Sequence, residues 1–95
     1  MSTQVVEKRD VAVVRKPAPQ YRVLLHNDDY NGMEHVVAAL IQTVPSLSPP
    51  QAVDIMMAAH NHGTALVITC AMEPAEFYSE TLKSHGLSSS IEPEN

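Results

Sequence analysis

One helix in this chain has both of its ends written into the sequence, and it limits what can stand on either side. Ser48-Pro49-Pro50-Gln51 places a hydroxyl at the cap, prolines in the first turn and a glutamine at the third position. Gly63 offers a left-handed exit, so the helix is expected from about Pro49 to Asn61. Ala65-Leu66-Val67-Ile68-Thr69-Cys70-Ala71 follows and reads as a strand buried on at least one face. Upstream, Tyr21 to His26 has the aromatic and branched content of another strand. Met33 to Val44 then carries Val36, Val37, Leu40, Ile41 and Val44 at helical spacing, with Asn31 as its expected cap, Glu34 completing a capping-box-like pair and Pro45 as its stop. Glu73-Pro74-Ala75-Glu76 opens a third helix that Gly86 ends. Leu87 to Ile91 forms a last short strand, and Glu92 to Asn95 a tail.

The expected order is β-α-α-β-α-β. It predicts an α+β fold, a three-stranded antiparallel sheet with three helices on one face. Lys16-Pro17-Ala18-Pro19-Gln20 reads as a stiff spacer. A flexible extension is therefore expected over 1–19 and a core domain over 20–95, with an edge strand at Val11–Val14 as the alternative.

Charge is unevenly placed. Residues 1–22 carry a balance of +3, while residues 23–95 hold Lys83 alone against nine acids, a balance of −8. Such a body repels phosphate backbones, which argues against a nucleic-acid partner. The single cysteine, Cys70, excludes an intramolecular disulfide and suits a reducing compartment. No apolar run approaches the ~18 residues of a membrane span. These features predict a soluble, cytoplasmic protein.

Function is concentrated between His26 and Val37, where Asn27, Asp28, Asp29 and Asn31 cluster at a strand-to-helix junction. A metal site would have to draw on His26, Asp28, Asp29, His60 and His62, but no ligand spacing among them is compelling; no metal and no cofactor are expected. Cys70 in an apolar strand suits a structural thiol better than a nucleophile. Paired carboxylates at a helix start often only complement the helix dipole, so no catalytic residue is assigned. A primary ammonium fits the cluster better. It brings three donors and a positive charge, and Asn27, Asp28, Asp29 and a neutral His60 imidazole supply acceptors. Each charge-assisted hydrogen bond in a shielded site contributes about 1.5–3 kcal/mol. Met33, Val36, Met56 and Ala59 stand where they can line one cleft, although methionines at helical spacing are more often plain core. Protonating the imidazole would set two cations together, so affinity is expected to fall as pH drops through about 6.5, the ordinary imidazole range.

At these residues the chain resembles ClpS, the N-end rule adaptor family of Clp AAA+ proteases. The resemblance covers roughly Tyr21 to Pro93. It rests on Asn27-Asp28-Asp29-Tyr30, then Met33-Glu34 and Val36; on His60 with Gly63 and Ala65; and on Gly86-Leu87 followed by Ile91-Glu92-Pro93. It implies a non-enzymatic adaptor that binds proteins with N-terminal Leu, Phe, Tyr or Trp and delivers them to an unfoldase. By that likeness Asn27, Asp28 and His60 meet the α-amino group with Asp29 and Asn31 nearby. Met33 resembles a gatekeeper against β-branched first residues, and Val36, Met56, Ala59 and Leu87 line the side-chain pocket. Glu73 would contact the N-terminal domain of the Clp AAA+ unfoldase, and residues 1–19 would form the tail it engages. The chain departs from the family pattern at Asn31 (often Thr), Gly32 (often Pro), Ala59 (often Val) and Tyr78, where some relatives place a basic contact residue. Two alternatives remain at this point: an interaction domain of ribosomal-stalk type, and a regulator of the unfoldase without N-degron binding.

Overall fold

The computed structural model describes residues 18–94. The expected edge strand at Val11–Val14, and all but the last two positions of the extension, lie outside them. Within them the elements are β1 (Gln20–His26), α1 (Met33–Thr43), α2 (Pro49–His62), β2 (Thr64–Ala71), α3 (Met72–Ser84) and β3 (Ser88–Pro93). Their order is the expected one. The sheet runs β2-β1-β3, with both pairings antiparallel.

The ends of α2 form as the sequence directs. Gln51 N–H donates to Ser48 Oγ at 3.3 Å, and Ser48 N–H donates to Gln51 Oε1 at 2.8 Å. Gly63 adopts φ 92° and its N–H closes on the Ala59 carbonyl at 2.8 Å. At the end of α1, Val44 turns to extended backbone because Pro45 follows it. The start of α1 differs from expectation. Its cap is Gly32, with no side-chain cap bond, because the Asn31 amide is drawn elsewhere.

β3 also differs, in running on to Pro93. Tyr21 pairs with Pro93, Arg22 forms an ion pair with Glu92, and Glu94 N–H donates to the Gln20 carbonyl at 2.9 Å. Long-range pairing thus recruits Glu92 and Pro93, and an edge strand tolerates a proline lacking its N–H.

One core joins the sheet to the helices. Val23 and Leu25 from β1 and Ala65 and Val67 from β2 meet Leu40, Val44, Ala52, Ala75 and Leu82. A register shift between Val23 and Leu24 lets Val67 bulge against β1 while keeping Ala65 buried. Ala52 and Ala75 are fully buried, and small residues there let α2 and α3 come close to the sheet. Each fully buried leucine contributes about 1.5–3 kcal/mol. Ser79 Oγ donates to Ser89 Oγ at 3.0 Å, and Ser89 Oγ to the Leu24 carbonyl at 2.8 Å, which pins α3 to the sheet.

Candidate functional site

The polar cluster forms a turn at residues 27–32, held at both ends. Asn27 N–H donates to the Gly63 carbonyl at 3.0 Å, which ties the start of the turn to the α2–β2 corner. Inside it, Asp28 folds back on the chain. Its Oδ1 accepts from the N–H groups of Tyr30 and Asn31, both at 2.8 Å, and its Oδ2 accepts from Asn31 Nδ2 at 3.0 Å. This is the aspartate turn that competes with a helix cap, and it explains why Asn31 does not cap α1. Asn31 Nδ2 also donates to the Gly86 carbonyl at 3.0 Å. Desolvation pushes the Asp28 carboxyl up. The Asn31 side chain, the Asn31 and Tyr30 N–H groups and the charge of His35 outweigh it and hold the carboxyl below its ordinary value. Asp28 therefore stays ionised with most of its acceptor sites already engaged.

Beside this turn lies a cleft of about 270 Å³, just under the ~300 Å³ of the smallest drug-sized pockets. It has room for about one residue of a peptide. Asn27, Asp28, Asp29, Asn31 and His60 form its polar side; Met33, Val36, Met56 and Ala59 form its apolar side. The structure thus brings two segments that are apart in the sequence, residues 27–36 and residues 56–60, into one cleft. Among the described residues, the side chains of Asn27, Asp29 and His60 make no hydrogen bond, so their acceptors are open to a ligand. Leu25, His26 and Gly32 also line the cleft. Leu25 looks like ordinary core in the sequence; it is 2% exposed and borders the cleft from β1.

Leu87 does not line this cleft, contrary to expectation. It is 4% exposed and faces a neighbouring groove of about 520 Å³ that shares Asn27 and Asp28 and includes Lys83. The closure of α3 accounts for this. Gly86 takes φ 87°, Leu87 N–H donates to the Leu82 carbonyl at 3.1 Å and Gly86 N–H to that of Lys83 at 2.8 Å. This motif seats Leu87 against Leu82. Glu73 stands exposed in the first turn of α3 and is not part of the cleft.

No group of three or more His, Cys, Asp or Glu side chains able to hold a metal occurs among the described residues. His62 is turned away, its Nδ1 3.2 Å from the Ala58 carbonyl, and the Nε2 of His26 lies 2.7 Å from Ser90 Oγ. Burial pushes the Cys70 thiol up, away from the reactive thiolate. No helix among the described residues is long and apolar enough to cross a membrane.

An anionic, acceptor-rich rim meeting an apolar wall suits a ligand with an ammonium at one end and a hydrocarbon group at the other. Comparison with known proteins places the chain. The family model described as ATP-dependent Clp protease adaptor protein ClpS matches residues 16–90. The chain belongs to the ClpS family. It is 66% identical over 95 residues, the whole of both chains, to the ATP-dependent Clp protease adapter protein ClpS of Synechococcus elongatus. It is 45% identical over 85 residues to the chloroplastic CLPS1 adapter of Arabidopsis thaliana, covering 90% of this chain and 54% of that one. The structure of Agrobacterium tumefaciens ClpS2 bound to L-phenylalaninamide superposes with a TM-score of 0.77 at 31% identity, over 82% of this chain and all of that one. The resemblance read from the motifs therefore holds. An adaptor of the ATP-dependent Clp protease, non-enzymatic as expected, replaces the ribosomal-stalk reading.

Proposed function

We propose that the chain selects proteins by their N-terminal residue and passes them to a Clp AAA+ unfoldase in the cytoplasm. The observation carrying this reading is the junction in one cleft of the unengaged acceptors of Asn27, Asp29 and His60 with the apolar wall of Met33, Val36, Met56 and Ala59. A free α-amino group binds the acceptors, and the charge of Asp28 adds attraction while its oxygens hold the turn. A Leu, Phe, Tyr or Trp side chain fills the apolar half and contributes roughly 1.5–3 kcal/mol. With two or three charge-assisted hydrogen bonds, this supports micromolar or tighter affinity after the cost of association. The phenylalaninamide bound to the related ClpS2 has the same two parts, an ammonium and an apolar ring. Leu87 supports the site from the core. Exposed Glu73 on α3 meets the N-terminal domain of the unfoldase, and residues 1–19 form the segment it engages.

Degradation of a reporter protein by a purified Clp AAA+ protease tests the whole reading. Adding the chain is expected to accelerate loss of a Phe-first reporter and leave an Ala-first reporter unchanged. Equal rates for the two reporters would leave only a regulator of the unfoldase without N-degron binding.

A further inference from the structure

The turn at residues 27–32 is mostly exposed, and the helix after it starts at Gly32 without a side-chain cap. Burial therefore does little to hold its far end. Two side chains do so instead, and both use carbonyls at the end of α3. His85 caps α3 and Gly86 follows it, so neither carbonyl is used inside the helix. Asn31 Nδ2 reaches the Gly86 carbonyl at 3.0 Å, and one turn along α1 the His35 Nε2 lies 2.7 Å from the His85 carbonyl. A carbonyl only accepts, so Nε2 carries the proton and donates. The two imidazoles meet edge to face, with centroids 6.4 Å apart. His35 does not line the ligand cleft, whereas Met33 and Val36, its neighbours on α1, do.

We infer that His35 is a positioning residue for the ammonium site. Together with Asn31 it lashes the recognition turn to the α3–β3 corner, as Asn27 lashes the other end to Gly63, and so fixes where the acceptors of Asn27 and Asp29 stand relative to the apolar wall. This inference rests on the function proposed above. α3 is already closed by the bonds of Gly86 and Leu87, so losing the His35 tether loosens the turn and not the helix.

The test compares His35→Phe, which keeps a ring without a donor, with His35→Gln, whose amide donates. Phenylalaninamide and leucinamide binding is measured by calorimetry, and hydrogen exchange of the Tyr30 and Asn31 amides in the free protein. His35→Phe is expected to weaken both ligands by the same factor, about threefold to tenfold, and to speed exchange at both amides. His35→Gln is expected to recover most of both. Should His35→Phe not fold, His35→Ala takes its place in the same comparison. Parental affinity in the variant without a donor, or a Gln variant as impaired as that variant, overturns the positioning role alone. Failure of the parent chain to bind either amide overturns the proposed function, and this inference with it.

Discussion

The Asp28 oxygens accept three hydrogen bonds from their own turn, which leaves Asp29, Asn27 and His60 as the open acceptors of the cluster. The cluster was legible in the sequence. Which member stays free was not, because that depends on how the backbone folds over the carboxylate. A carboxyl held below its ordinary value of 3.8 stabilises the fold fully above that value, and this contribution is lost as pH falls through the lowered value. The Tyr30 and Asn31 amide resonances are therefore expected to titrate together with a midpoint below 3.8, and Asp28→Asn to abolish the transition. In the function proposed above, Ala59, buried at 3% exposure in the cleft wall, sets the room for the ligand side chain. Ala59→Val is expected to lower affinity for Trp-first peptides relative to Leu-first ones by roughly fivefold or more, an overpacking cost of about 1 kcal/mol or above. Competition binding with the four peptide types would read this directly.

Elements whose ends depend on local chemistry were placed from the sequence to within a residue or two; those that depend on distant partners were not. Ser48, Gln51 and Gly63 act within one helix, and α2 follows from them. Glu92 and Pro93 join a strand only because Arg22 and Tyr21 lie across from them, and Leu87 leaves the cleft only because it belongs to the closure of α3. Gly63 links the element scale to the site. Its φ of 92° suits glycine, and its carbonyl holds Asn27. Gly63→Ala adds a Cβ that meets nothing within 4 Å, so its cost is conformational, about 1–2 kcal/mol. Chemical denaturation is expected to show that loss, and ligand titration a weaker affinity, since the tether to Asn27 shifts with the backbone.

At the scale of the molecule, the β-α-α-β-α-β order and the antiparallel sheet were readable from alternating strand and helix patterns, whereas the strand order β2-β1-β3 was not, because both outer strands pair with the same central one. That arrangement sets the turn at 27–32 between the corners of α2 and α3 and leaves Glu73 at the far end of α3, outside the cleft. On the function proposed above, selecting a substrate and meeting the unfoldase are therefore separable. Glu73→Arg is expected to leave phenylalaninamide affinity unchanged and to reduce degradation of a Phe-first reporter by about tenfold, the effect of reversing one well-placed interface charge. The central claim is that a free α-amino group is read together with the side chain beside it. Fluorescence anisotropy of a labelled Phe-first peptide, measured beside its N-acetylated twin, tests it most directly. The account predicts micromolar or tighter binding of the free amine and at least about a hundredfold loss on acetylation; equal binding of the two peptides, or none by either, would contradict it.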